Sequence, residues 1–181
     1  MWTPRIEHIL GAILLAALLS ATTVATAAEE ATKEFKAGPL TLQVPDSWEN
    51  EKPSNRLRLA QFVIPAAEDD SENAELVISG PFGGSVEDNV QRWLGQFAAD
   101  DRDVKMSQGE TDQGKYVLVE LSGTYNKPVG PPIRRQSKPM PGYRVINVML
   151  MSKGSGNFFF KLAGPDATVT AAAKGLRASF G

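Results

Sequence analysis

The sequence predicts an α+β fold in which an antiparallel β-sheet of about six strands is sandwiched by helices. Segments that alternate apolar and polar residues, as half-buried strands do, are grouped between two stretches with helical spacing. Short turns join these segments, which favours antiparallel neighbours. The chain has 181 residues, of which 42% are hydrophobic and 22% charged, so it carries enough apolar material for one sizeable core. We therefore expect a single domain over residues 38–181.

Residues 1–27 have the features of a cleaved export signal. An apolar run spans residues 9–19, and Ala25-Thr26-Ala27 supplies the small-x-small pattern that signal peptidases accept. The alternative is an uncleaved membrane anchor, because residues 9–28 carry no charge and have about the length needed to cross a bilayer. We expect cleavage and a periplasmic or extracellular location. Residues 28–37 are polar and charged, and we expect them to be a flexible lead-in.

The lack of histidine and cysteine excludes whole classes of chemistry. There is no cysteine, and the single histidine, His8, belongs to the predicted signal. The processed chain therefore has no Ser-His-Asp or Cys-His nucleophile, no zinc site built on imidazole or thiolate, and no disulfide. Haem ligation by these residues and iron-sulfur clusters are excluded as well. We predict no catalytic residue, no metal and no cofactor.

The predicted strands follow one another with clear turn signals. The first lies between Pro39 and Pro45, and Asp46-Ser47-Trp48 then turns the chain. The segment 66–73 is mostly acidic and polar, and it should form a solvated connection between the next two strands. The remaining strand predictions, in chain order, are residues 56–65, 74–80, 115–122, 143–151 and 157–162, with a short segment at 104–106.

A helix is predicted from Val86 to about Ala99, with Ser85 as its N-cap. Apolar residues at spacings of four, three and four place Trp93 and Phe97 on one buried face. A second helix is predicted over residues 167–180.

Three polar residues, Asn89, Arg92 and Gln96, lie beside the apolar face of the first helix. They are either a polar edge that hydrogen-bonds neighbouring strands or a partner-binding edge.

Residues 123–142 form a segment rich in proline and basic residues, which we predict to be a long loop. It holds the candidate partner-binding residues Lys127, Arg134, Arg135 and Lys138, and no acidic residue occurs from Leu121 to Pro165. Such a loop could bind an acidic protein, a phosphate or a membrane surface, or it could simply be solvated. Nucleic acid is not expected, because the chain is slightly acidic overall and no aromatic residues interleave with the arginines.

The acidic clusters are weak candidates for catalysis. Residues 68–72 do not match the ligand spacing of an EF-hand, and adjacent carboxylates on an extended chain point in opposite directions. A carboxylate-based hydrolase would need a separation fixed by the fold.

The order of several motifs resembles a bacterial exported family with a PsbP/Mog-type αβα sandwich. The motifs are VPDSW, RLRLAQFVIP, NVQRWLGQF, SGTY, PGYRVINVML and FFFKLAGP, within residues 38–181. Proteins of this shape include an extrinsic subunit of the oxygen-evolving complex and a Ran-binding protein. The resemblance therefore implies an adaptor rather than an enzyme, although fold alone says little about function.

We expect an exported, non-enzymatic accessory or protein-binding module that docks another protein or an acidic surface. The alternatives are a metal- or carboxylate-dependent hydrolase and, if the signal is uncleaved, a membrane-anchored envelope protein.

Overall fold

The computed structural model describes residues 30–130, 132–134 and 136–181, and it confirms the α+β class. The predicted export signal, residues 1–27, lies outside the described residues. The elements, in chain order, are β1 (Thr32–Ala37), β2 (Leu40–Pro45), β3 (Glu49–Glu51), β4 (Arg58–Ile64), β5 (Ala74–Phe82), α1 (Val86–Leu94), β6 (Asp103–Thr111), β7 (Gly114–Val129), a short 3-10 turn (Pro132–Arg134), β8 (Gln136–Ser152), β9 (Gly156–Pro165) and α2 (Asp166–Ser179).

Seven strands form one antiparallel sheet in the order β3-β4-β5-β9-β8-β7-β6. Strands β1 and β2 form a separate antiparallel hairpin. The prediction of about six strands in an antiparallel sheet is therefore close to the observed seven.

One face of the sheet is covered by α2 and the β1–β2 hairpin. Side chains from the central strands, such as Phe62, Phe158 and Phe160, pack there with Leu176 and Phe180. Arg144 of β8 also joins this helix to the sheet, since its Nε donates to Asp166 Oδ1 at 2.9 Å.

The opposite face carries α1 and a second apolar cluster. Trp93 and Phe97 are each 4% exposed, which confirms that they belong to the core. They pack with Tyr125, Tyr143 and Phe159. Because side chains alternate along a strand, Phe159 and Lys161 of β9 point to this face while Phe158 and Phe160 point to the other.

Helix α1 ends at Leu94, earlier than the predicted Ala99. Gly95 forms the C-cap, and Arg102 Nη1 donates to the Leu94 carbonyl at 2.7 Å. The following residues pair with β7 instead, because the Gln96 carbonyl accepts from Asn126 N at 2.8 Å and Phe97 bridges Tyr125.

Two predictions about irregular segments were wrong. The lead-in expected at residues 28–37 contains β1, whose backbone pairs with β2 from Thr32 to Ala37. The basic segment at residues 123–142 is largely a continuation of the β7–β8 hairpin, in which Tyr125 pairs with Met140 and Val129 with Gln136. We call residues 125–129 and 136–140 the arm.

The arm tolerates its prolines because, beyond the contacts of Tyr125 and Asn126 with the segment after α1, its strands pair with each other. Neighbouring strands stop before it, since β6 pairs with β7 as far as Ser122 and β9 pairs with β8 as far as Tyr143. Pro128 and Pro139 therefore remove no hydrogen bond to a third strand.

The acidic connection before β5 is anchored rather than wholly solvated. Asp70 Oδ2 accepts from Thr168 N at 2.8 Å and from Thr168 Oγ1 at 2.5 Å, which caps the start of α2. Glu72 Oε2 accepts from Tyr143 Oη at 2.6 Å.

Within the described ranges, neither helix is long and apolar enough to cross a bilayer.

Candidate functional site: a cationic pocket beside a basic arm

A pocket of about 420 Å³ opens on the face of the sheet that carries α1. Its floor comes from β4, β5, β8 and β9, and its walls come from α1 and the base of the arm. A cavity of this size suits a small organic ligand.

Aromatic and apolar side chains form much of the wall. Trp93 and Phe159 pack edge to face with ring centroids 6.4 Å apart, while Tyr125 and Tyr143 stack with centroids 6.0 Å apart. These rings are held by the second apolar cluster, so their positions are fixed by packing.

Lys161 of β9 projects into this pocket from the floor. Its Nζ donates to Gln96 Oε1 at 2.8 Å and to Tyr125 Oη at 2.7 Å. Both partners are neutral, and no carboxylate of the described residues lies within 4.0 Å of the ammonium. Burial, and secondarily the positive charge of Arg92, lower the pKa of Lys161 to about 8.

Asn147 lies directly opposite Lys161 in the β8–β9 register and also lines the pocket. The residue is 1% exposed, and its Nδ2 has no hydrogen-bond partner among the described residues. An amide nitrogen in this state is unusual, because buried polar groups nearly always find a partner.

Two arginines stand near the pocket. Arg58 Nη1 donates to Glu75 Oε1 at 2.9 Å and to Gln61 Oε1 at 2.7 Å. Arg92 Nη2 donates to Asn89 Oδ1 at 2.6 Å. Among the described residues, the pocket lining contains four basic residues, Arg58, Arg92, Lys127 and Lys161, and one acidic residue, Glu75.

Both tyrosines of the wall stay neutral at physiological pH. Burial, with a smaller contribution from Glu75, raises the pKa of Tyr125 to about 12. Burial and the hydrogen bond to Glu72 also raise the pKa of Tyr143. Tyr125 Oη accepts from Lys161, so its own proton remains available for an acceptor in the pocket.

The arm adds further positive charge above the pocket. Lys127 and Lys138 are register partners, so their exposed side chains leave the same side of the hairpin. Lys127 Nζ lies 5.7 Å from the centroid of the Tyr143 ring. Arg134 is exposed in the 3-10 turn at the tip.

The structure distributes the predicted binding residues between the pocket, the arm and the protein interior. Arg92, Gln96 and Lys127 line the pocket, whereas Lys138 and Arg134 belong to the hairpin beyond it. Arg135 lies outside the described residues. Asn89 is 7% exposed, and its Nδ2 donates to the Ser85 carbonyl at 2.7 Å, so it holds Arg92 in place rather than facing solvent.

Sequence reasoning missed the residues on the pocket floor. Asn147 and Lys161 each interrupt an otherwise apolar strand, in VINVML and FFFKL. A polar residue within such an apolar strand is the sequence feature that could have indicated a buried polar site. Their meaning depends on the β8–β9 register, which places the two side chains side by side.

No group of three or more histidine, cysteine or acidic residues in the described part of the chain is arranged to hold a metal ion. The acidic residues Asp70 and Glu72 instead bind Thr168 and Tyr143.

A likeness to a solved structure accompanies this geometry. The solution structure of cyanobacterial PsbP (CyanoP) from Synechocystis sp. PCC 6803 matches with a TM-score of 0.45 and 13% identity, covering 82% of this chain and 89% of that chain. At this level of identity the likeness concerns the fold alone. No protein-family model matches the chain, and no curated protein sequence matches it significantly.

Proposed function

We propose that this chain is a non-enzymatic binding module that docks an acidic segment of a protein partner through its arm. The observation that carries this proposal is the pairing of Lys127 with Lys138 directly across the hairpin. Like charges at opposed positions destabilise a β-ladder, so the pair weakens the isolated arm. An acidic partner would remove that repulsion on binding.

The charge of the surrounding segment supports the same proposal. No acidic residue occurs from Leu121 to Pro165, so the arm has no carboxylate of its own to neutralise its lysines. Arg134 at the tip extends the positive surface outward. The backbone of the arm is already paired before binding, so docking through it orders fewer residues than docking through an unstructured loop would.

The test separates the arm from the pocket. Arg134 and Lys138 do not line the pocket, so the R134E/K138E double variant changes docking charge without altering the cavity. Lys36 and Lys174 are exposed on the β1–β2 hairpin and α2, and K36E/K174E gives the same change in net charge away from the arm.

The tagged full chain is purified from its source cells, and each co-purifying protein is produced separately for direct binding. A partner with an acidic segment should bind the wild-type and K36E/K174E chains alike and lose at least about tenfold in affinity with R134E/K138E. Its affinity should also fall with added salt. Equal binding by both double variants would refute docking through the arm.

A further inference from the structure

We propose that the pocket beside α1 binds a carboxylate attached to an apolar body, with Lys161 and Asn147 as the groups that hold the carboxylate. The proposal goes beyond docking through the arm, because it concerns a ligand buried against the sheet rather than a surface on the hairpin.

The first argument is the unbalanced charge of Lys161. Its ammonium is half-buried and, within the part of the chain that the structure describes, hydrogen-bonds only the neutral groups of Gln96 and Tyr125. The nearby carboxylate of Glu75 is held by Arg58 instead. A cation removed from water without an anionic partner is costly, and one of its three N–H groups is still available for a ligand.

The second argument is the amide of Asn147. Its Nδ2 is buried, lacks a partner among the described residues, and belongs to a side chain adjacent to Lys161 on the same face. Together the two groups offer N–H donors side by side, which suits the two oxygens of a carboxylate. The hydroxyl of Tyr125 supplies a further donor beside them.

The walls determine what the carboxylate is attached to. Trp93, Phe159 and Tyr143 present aromatic surface, and the cavity of about 420 Å³ has room for more than a carboxylate alone. A ligand with an apolar or aromatic body would fill this space and exclude water from the ion pair. Free phosphate or sulfate would leave the aromatic surface uncovered.

Such a carboxylate could come from a free organic acid or from the C-terminus of a peptide that ends in an apolar residue. The chemistry is the same, so the experiment uses a probe for each source. Hydrocinnamate represents the free acid, and acetyl-Gly-Gly-Phe represents the peptide terminus. Hydrocinnamide and the C-terminally amidated peptide are the matched probes without charge.

The full chain, labelled with ¹⁵N, is titrated with each probe and followed by NMR at the Trp93 indole N–H and the Asn147 side-chain amide. A carboxylate probe should shift both signals saturably, with a Kd in the millimolar range or tighter. The amides should bind at least about tenfold more weakly. Saturation by hydrocinnamate alone identifies a free acid as the ligand type, and saturation by the peptide alone identifies a C-terminus.

Two variants test the residues. Lys161→Met keeps the length of the side chain and removes its charge. Asn147→Asp replaces the amide that would donate to the ligand with a carboxylate, which repels the carboxylate of the ligand. Each should weaken binding at least about tenfold. Lys174→Met, an exposed lysine of α2, is the control and should change nothing. Circular dichroism confirms that each variant is folded.

Binding should also depend on pH through Lys161. Above pH 8 the ammonium loses its proton, and the apparent affinity should then fall by up to about tenfold per pH unit. The ionisable groups that surround it are Arg58 on β4, Glu75 on β5, Arg92 on α1, Tyr125 and Lys127 on β7, and Tyr143 on β8. The Lys161→Met comparison isolates its titration from theirs.

The proposal is overturned if neither carboxylate probe saturates the two signals, if the amides bind equally well, or if Lys161→Met binds as tightly as the wild type. The R134E/K138E variant should bind these probes normally. Failure of the pocket is thus distinguishable from failure of docking through the arm.

Discussion

Lys127 and Lys138 face each other across the two strands of the arm and project from the same side. Lys138→Glu should convert this repulsion into an attractive cross-strand pair worth about 0.2–1 kcal/mol. We expect amide hydrogen exchange within the arm to slow by up to about fivefold, because the local opening becomes less favourable. The same substitution should weaken docking of an acidic partner.

Exchange rates of the arm in Lys36→Glu serve as the control, since Lys36 lies opposite Thr41 in the separate β1–β2 hairpin. Unchanged or faster exchange in Lys138→Glu would show that the two ammonium groups do not repel each other measurably.

Asn147→Leu should stabilise the fold. The buried Nδ2 of Asn147 has no partner among the described residues, and replacing it with an apolar group of similar volume removes a desolvation cost of about 1–3 kcal/mol. Urea denaturation should give a higher midpoint with an unchanged slope. Stability gained in this way would be accompanied by loss of carboxylate binding, and a lower midpoint would show that the amide is satisfied in solution.

The central strands and the cores could be predicted from the sequence, because the buried positions of a strand are occupied by apolar residues in a recognisable pattern. Phe158 and Phe160 face one core and Phe159 the other, so the run FFF already indicated a strand covered on both sides. Strand β1 was not predicted, and only the segment 104–106 of β6 was, for the opposite reason. Nearly all their side chains are exposed, and their largely polar sequences alternate only over Val104-Lys105-Met106, the short segment that was predicted.

The pocket could not be predicted because register, rather than composition, creates it. Arg92 and Lys127 stood out as basic residues, but nothing in the local sequence indicates that both line the same pocket as Lys161. The prolines at 128, 139 and 141 led to the wrong prediction of a long loop, because the sequence does not show that this hairpin extends past its neighbouring strands. Proline argues against a central strand but not against a hairpin that extends past its neighbours.

Asp70→Ala should lower the free energy of unfolding by about 1–2 kcal/mol. The carboxylate of Asp70 caps α2 from a distant loop, where Pro165 at the N-cap position has no side-chain oxygen to do so. Without it the Thr168 N–H is left buried and unpaired, since Thr168 is 1% exposed. Thermal unfolding followed by circular dichroism measures the loss.

Asp69→Ala is the matched control, because Asp69 is exposed in the same connection. A loss of equal size in both variants would attribute the effect to the charge of the loop rather than to the cap.

The stability of the protein should rise with pH above about 8 because of Lys161. Its pKa is lowered from the usual 10.5 to about 8 in the folded protein, so between these values the unfolded chain binds more protons than the folded one. Unfolding therefore becomes less favourable as pH rises through this window, and the contribution of Lys161 is on the order of 1–3 kcal/mol. Below pH 8 the group is charged in both states, and its burial is a constant destabilising term.

Urea denaturation of the wild type and of Lys161→Met between pH 7 and 10.5 measures this contribution, with the other lysines and tyrosines common to both proteins. The variant should be more stable than the wild type at pH 7, and the difference should shrink as pH increases. A bound carboxylate should raise the pKa of Lys161 and flatten the pH dependence of the wild type, because the ammonium then keeps its proton in the folded state. A constant difference between the two proteins would mean that Lys161 titrates at its ordinary value and is not desolvated in the pocket.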